Sequence, residues 1–196
     1  MTLFELALQL FIITNPIGNS PAILALVKDY SFAKQQWIML RETFFALCLA
    51  LFFQFLGEPF LDILGIKDYA LSWCGGVLML IVGIQMIFPS HEEEMEELTI
   101  NREPYMVPIA TPLLSGPGLI TFIMLYSKQL NDAVFLTSGL LIAWVGVIAV
   151  MLAAPLLLRL MGRRGLYALE QLMGLVLIMI GMELIVKGSQ LFIGIF

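Results

Sequence analysis

Apolar residues fall into six runs separated by short polar stretches, over roughly 3–27, 38–56, 69–88, 105–126, 133–158 and 167–187. Each is near the ~20 residues an α-helix needs to cross bilayer hydrocarbon. In hydrocarbon a segment must satisfy its own backbone hydrogen bonds, and runs this continuously apolar do so as helices. The pattern predicts an all-α polytopic membrane protein with six transmembrane helices.

Two of the runs are interrupted near their centres. The first contains Thr14-Asn15-Pro16-Ile17-Gly18-Asn19-Ser20-Pro21, the fourth Thr111-Pro112-Leu113-Leu114-Ser115-Gly116-Pro117-Gly118. Proline lacks an N–H and clashes with the preceding turn, so the first and fourth helices are predicted to break at mid-depth. Unwound backbone survives there only where protein buries it or a cavity borders it. Ser20-Pro21 and Gly116-Pro117 each read as an N-cap followed by proline at the first helical position. Half-helices starting there would aim free N–H groups and positive dipole ends at an anion such as a carboxylate. Bare carbonyls near Thr14 and Thr111 would suit an ammonium group or a cation. The candidate substrate-binding residues are Asn15, Pro16, Gly18, Asn19, Ser20, Thr111, Pro112, Ser115, Gly116 and Gly118. The plainer alternative is a pair of proline kinks that merely shape the bundle.

The interruptions belong to a repeat. Pro16 falls on Pro112 and Pro21 on Pro117 at an offset of 96, while Gly76 falls on Gly174 and Gly83 on Gly181 at an offset of 98. Gln85 then lies over Glu183. Three spans per half is an odd number, so the second half enters the membrane from the opposite side, as in transporters built from inverted repeats. The chain is predicted to be a single transmembrane domain, 1–196, with repeat one at 1–88, a polar linker at 89–103 and repeat two at 104–196. The glycines of the third and sixth spans are expected to permit close helix packing.

Composition agrees: 60% of the 196 residues are hydrophobic and 13% charged, against about 45–50% and 25% in soluble domains. The ten basic residues are too scattered for nucleic-acid binding,. Seven of them (Lys28, Lys34, Arg41, Arg102, Arg159, Arg163 and Arg164) fall on one side of the predicted topology, which the positive-inside rule makes cytoplasmic, leaving both termini outside,. No cleavable signal is expected, since Glu5 stands where a basic n-region would be,. Cys48 and Cys74 lie in apolar runs and read as small core residues, not a disulfide or metal pair,. His91, the one histidine, sits in the linker beside glutamates without zinc-ligand spacing,. No metal, cofactor or enzymatic nucleophile–base pair is expected; a homo-oligomer is compatible with the sequence.

Ionisable residues inside spans are functional candidates by default. Glu183 is the deepest, and reads either as a proton-coupling carboxylate or as the i,i+4 partner of Lys187,. Arg41 and Glu42, at the start of the second span, are expected to snorkel to the cytoplasmic interface,.

Asn15-Pro16-Ile17-Gly18-Asn19, Gly75-Gly76 and above all the run from Pro108 to Gly118 resemble the MarC family of six-helix inner-membrane proteins. That resemblance covers nearly the whole chain. It implies a multi-pass protein of the cell (inner) membrane and a role in transporting small neutral amino acids such as glycine and alanine. The expectation is a secondary transporter binding an amino acid at mid-membrane between two discontinuous helices, with proton coupling through Glu183. The alternatives are an exporter of amino acids, other small metabolites or drugs, a small-solute channel, and a membrane scaffold.

Overall fold

The computed structural model of the chain describes residues 2–88, 105–107, 109–130 and 132–194. These are helical apart from turns and an isolated bridge between Tyr105 and Val107. The linker at 89–103, with His91, and also Pro108 lie outside the described residues.

Thr2 opens α1 (Leu3–Thr14) with a reciprocal cap: its hydroxyl accepts from the Glu5 N–H at 3.2 Å, and the Glu5 carboxylate accepts from the Thr2 N–H at 2.9 Å,. Asn15 follows in the left-handed region (φ 53°, ψ 48°), and α2 (Pro16–Val27) continues from it. Next come α3 (Phe32–Leu64), closed by Gly65 at φ 67°, and α4 (Asp68–Ile87). A π-helical turn at Ile109–Leu114 leads to α5 (Pro117–Leu130). The stretch Ala133–Ile193 comprises two helices that meet at Gly162 (φ 66°, ψ 177°), namely α6 (Ala133–Gly162) and α7 (Arg164–Ile193).

Among the described residues, five stretches are long and apolar enough to cross a membrane: Leu3–Val27, Phe32–Leu64, Asp68–Ile87, Ala133–Gly162 and Arg164–Ile193. The sixth expected span, 105–126, is instead the π-turn followed by a helix of 14 residues. That helix is about 21 Å long, short of the ~30 Å hydrocarbon core. By contrast α3, with 33 residues, is about 50 Å long and must tilt or protrude.

Cross-helix contacts sort the turns into two ends. At one, Lys128 Nζ lies 3.1 Å from Asp68, the Tyr69 and Phe192 rings are 5.2 Å apart, and Gln54 Nε2 donates to Thr137 Oγ1 at 2.6 Å. At the other, Gln171 Nε2 donates to the Ile87 carbonyl at 3.3 Å and the Arg41 guanidinium stands 4.8 Å from the Tyr105 ring centre. The helices therefore run alternately between the ends. Buried side-chain donors join them: Trp144 Nε1 donates to the Thr43 carbonyl at 2.8 Å and Ser115 Oγ to the Ala46 carbonyl at 2.7 Å. Such bonds act as glue where lipid removes the hydrophobic drive for helix association.

The closest packing is between α4 and α7. A Cβ on Gly76 would fall 2.6 Å from the Gly181 carbonyl oxygen, and one on Gly83 would fall 2.6 Å from that of Gly174. As one sequence ascends the other descends, so the helices are antiparallel, and only glycine permits backbones this close. Phe44, Phe55, Val145 and Leu175 point outward in a belt of exposed apolar residues that lipid would cover,. Cys48 and Cys74 belong to that outer surface, not to the core. A small apolar side chain fits either environment, so hydrophobicity alone cannot choose its face.

Candidate functional site

Asn15 does two jobs in one residue. Its left-handed backbone, which asparagine tolerates better than most side chains, ends α1, and its Oδ1 accepts from the Gly18 N–H at 3.2 Å to cap α2. Pro16 occupies the first position of α2, where the missing N–H is not needed. The expected start at Ser20-Pro21 is thus corrected. Ser20 is not a cap but donates back to the Pro16 carbonyl at 2.8 Å, and Pro21 lies inside α2. The reason is local: an asparagine followed by proline makes a complete helix start five residues earlier. The N–H groups expected at Ser20-Pro21 are consequently inside a helix and do not face shared space.

The second segment follows the sequence reading more closely. Thr111 is extended (φ −135°, ψ 127°), the Ser115 N–H reaches back five residues to the Ala110 carbonyl at 2.8 Å, and Pro112 lies within this turn. α5 begins at Pro117, and the Gly116 carbonyl accepts from the Ile120 N–H at 3.1 Å. The N–H groups of Gly118 and Leu119 fall in the first turn of α5, where no helical acceptor exists. Gly118 packs so closely on α4 that a Cβ there would be 2.7 Å from Met79 Cγ.

The two segments touch through Asn19. Its Nδ2 donates to the Leu113 carbonyl at 2.6 Å and to the Thr14 carbonyl at 3.3 Å. The two acceptors are open for different reasons. Leu113 lies four residues before Pro117, which has no N–H to offer it, whereas the Gly18 N–H four residues after Thr14 is taken by Asn15 Oδ1. Asn15 Nδ2 meets Met86 Sδ at 3.2 Å on α4. The cluster is closed, with Ser20 and Ser115 at 0% exposure, Asn15 at 2% and Asn19 at 9%. Two surface cavities lie elsewhere, one bordered by Asp62, Lys67, Asp68 and Lys128, the other by Phe55, Ala133 and Thr137.

Glu183 is not brought to this cluster. It is exposed on α7, while Lys187 turns to α5, donating to Gln129 Oε1 at 2.8 Å and standing 4.6 Å from the Tyr126 ring centre. The expectation for Arg41 and Glu42 is half corrected. Arg41 keeps some exposure, but Glu42 is fully buried, paired to Arg41 at 2.9 Å. The signal was present in sequence: Glu42, Ala46, Ala50 and Gln54 recur every four residues, and this stripe is the buried face of α3,.

Comparison with known proteins fits this picture. A model of the family described as MarC family integral membrane protein matches residues 1–193. The chain belongs to the MarC family. Similar MarC relatives include a UPF0056 membrane protein of Buchnera aphidicola from Acyrthosiphon pisum, 38% identical over 182 residues and 92% of each chain. The UPF0056 inner membrane protein YhgN of Escherichia coli is 37% identical over 186 residues and 94% of each chain. A UPF0056 membrane protein of Chlamydia pneumoniae is 32% identical over 192 residues, 97% of this chain and 95% of that one. No solved structure matches this chain. Membership makes the MarC chain an integral, multi-pass membrane protein, with the outward apolar belt as its lipid-facing surface.

Proposed function

We propose that this MarC chain is a secondary transporter of small neutral amino acids, of the glycine and alanine class, resident in the inner membrane as the name of its Escherichia coli relative suggests. The observation that carries the reading is the 2.6 Å bond from Asn19 to the Leu113 carbonyl, which joins the two interrupted segments. The Asn19 amide stands where a substrate ammonium would stand, against the Leu113 and Thr14 carbonyls. The first N–H groups of α5, at Gly118 and Leu119, are then available to a carboxylate.

The α4–α7 contacts support an inverted repeat, and the chain breaks at Asn15 and Thr111 support discontinuous first and fourth helices. An offset of 98 carries Gly76 onto Gly174 and Gly83 onto Gly181, so the Gly76–Gly181 contact is the image of the Gly83–Gly174 contact. Two antiparallel helices related this way have a two-fold axis between them, in the membrane plane. Moving one repeat against the other would open the closed cluster to each side in turn. Its tight burial favours alternating access over a standing channel.

Counterflow tests the reading. Proteoliposomes of the purified protein, loaded with unlabelled glycine or alanine, should transiently concentrate the labelled amino acid. Non-saturable uptake without counterflow would indicate a channel, and no uptake across a panel of neutral amino acids would overturn the proposal.

A further inference from the structure

Met79 and Met86 lie about two turns apart on the buried face of α4,, and each is held between two glycines. The stem of Met79 rests on α7, where a Cβ on Gly181 would fall 3.1 Å from Met79 Cβ. Its tip rests on α5, where a Cβ on Gly118 would fall 2.7 Å from Met79 Cγ and 2.8 Å from Cε. The stem of Met86 rests on α7 in the same way, 2.8 Å from a Cβ on Gly174, and its tip reaches α2, where a Cβ on Gly18 would overlap Met86 Cε. Gly18 and Gly118 stand in the first turns of α2 and α5, so each tip covers the start of a helix that follows an interruption. Methionine is unbranched and adaptable, and a glycine opposite it supplies no side chain to lock the tip in place. Met86 Sδ also accepts from Asn15 Nδ2 at 3.2 Å. A thioether is a weak acceptor, so an amide that is 2% exposed has a poor partner there; a carboxylate oxygen of a bound amino acid would be a stronger one. We propose that Met79 and Met86 are movable plugs of the substrate path: each tip swings off the glycine of an interrupted segment to admit the amino acid, and the bulk of the two tips limits which amino acids enter. The proposal rests on the transporter reading and names the residues that gate and select at that same site.

The two plugs face opposite ends of the molecule. From Gly118, α5 runs to Lys128, which meets Asp68 at the start of α4 at 3.1 Å. Met79 therefore closes the route between α4 and α5 that leads in from that end. From Gly18, α2 runs to the turn that opens α3, at the other end, where Gln171 bonds the carbonyl of Ile87, the neighbour of Met86, at 3.3 Å. Met86 closes the route from there. Because the α4–α7 glycine contacts fix both stems, only the tips move. Withdrawal of one tip while the other stays in place opens the closed cluster to one end alone, as alternating access requires. Truncation to alanine removes everything beyond Cβ and leaves the stem contact with α7, so it separates the plug from the helix packing.

Methyl NMR of the purified protein with isotope-labelled methionine methyl groups reads the plugs directly. The resonances of Met79 and Met86 are identified by their loss in Met79→Leu and Met86→Leu, volume-conserving changes that cores tolerate. Saturating glycine should shift both and leave unmoved the resonance lost in Met182→Leu, since Met182 lies on the exposed face of α7. Thermal stabilisation by neutral amino acids from glycine to leucine reads selectivity. Met79→Ala and Met86→Ala should each improve the apparent affinity for leucine relative to glycine by about tenfold or more, the least that one methylene is worth in an apolar pocket. If the alanine variants do not fold, the methyl shifts of the wild type decide. Glycine that stabilises the wild type while both methyls stay unmoved, or alanine variants that keep wild-type selectivity, would overturn the plugs and leave the transporter reading standing. A wild type stabilised by no neutral amino acid would overturn the transporter reading, and the plugs with it.

Discussion

Replacing Gly76 or Gly83 with alanine tests the α4–α7 interface and, through it, the repeat. A Cβ at Gly76 lands 2.6 Å from the Gly181 carbonyl oxygen and 2.7 Å from Ile185 Cγ1; at Gly83 it lands 2.6 Å from the Gly174 oxygen and 2.7 Å from Ile178 Cγ1. These are well inside van der Waals contact. An isoleucine methylene can turn away, but a backbone carbonyl in a helix cannot, so the helices must separate. Overpacking of this kind costs about 1–3 kcal/mol. Alanine also gains about 1 kcal/mol over glycine in helix propensity, which leaves a net loss of up to about 2 kcal/mol at each position. The two near-identical environments predict the same loss at both sites, within about 0.5 kcal/mol. Gly146 is the control: a Cβ there meets only the movable Phe11 ring, at 3.1 Å, so Gly146→Ala should be neutral or stabilising. Reversible unfolding in mixed micelles with increasing dodecyl sulfate, followed by circular dichroism, measures all three. Stabilisation by Gly76→Ala and Gly83→Ala like that of Gly146→Ala would mean that propensity decides and the backbone contact is wrong. A large loss at one site with none at the other would refute the symmetry.

Asn15 offers a second prediction. Asn15→Ala and Asn15→Gly both lose the side-chain cap, but a φ of 53° costs a side chain with a Cβ roughly 1–2 kcal/mol, so Asn15→Ala should destabilise more than Asn15→Gly in the same unfolding assay; equal losses would mean that only the cap matters. The charge distribution predicts both termini outside, so an extracytoplasmic reporter fused after the C-terminus should be active; a strong cytoplasmic reporter signal there would reverse the orientation.

The helices and their close contacts were legible because they rest on signals that act locally: long apolar runs, glycines at matched positions, and prolines that remove particular donors. The starting point of α2 was misread because two helix starts compete within Thr14–Pro21. Asn15 won by combining a left-handed backbone with a side-chain cap on the Gly18 N–H, a preference no hydropathy pattern carries. Glu42 was misplaced for a different reason. Beside Arg41 it reads as an interfacial pair, yet neighbours in a helix point about 100° apart, and only the packing of α3 decides which one faces inward. The short fourth segment was counted as a full span because apolarity continues through Ile109–Leu114, where the backbone bonds change from an α to a π pattern. The outward cysteines show the same gap: in a membrane, core and lipid face are equally apolar.

Ligand-induced thermal stabilisation by glycine and alanine tests the central claim, that one substrate site is shared by the two interrupted segments. Asn19→Leu and Ser115→Leu would be measured beside wild type, with Leu141→Val, on the exposed face of α6, as control. Leucine at 19 would fill the space the ammonium enters, and leucine at 115 removes the hydroxyl that ties the second segment to the Ala46 carbonyl; losing a good hydrogen bond made by the charged ammonium costs about 1.5–3 kcal/mol, roughly tenfold or more in affinity. Both site variants should therefore lose stabilisation at ligand concentrations that saturate wild type, while Leu141→Val keeps it. If one segment's variant abolishes stabilisation and the other binds like wild type, the shared site is wrong.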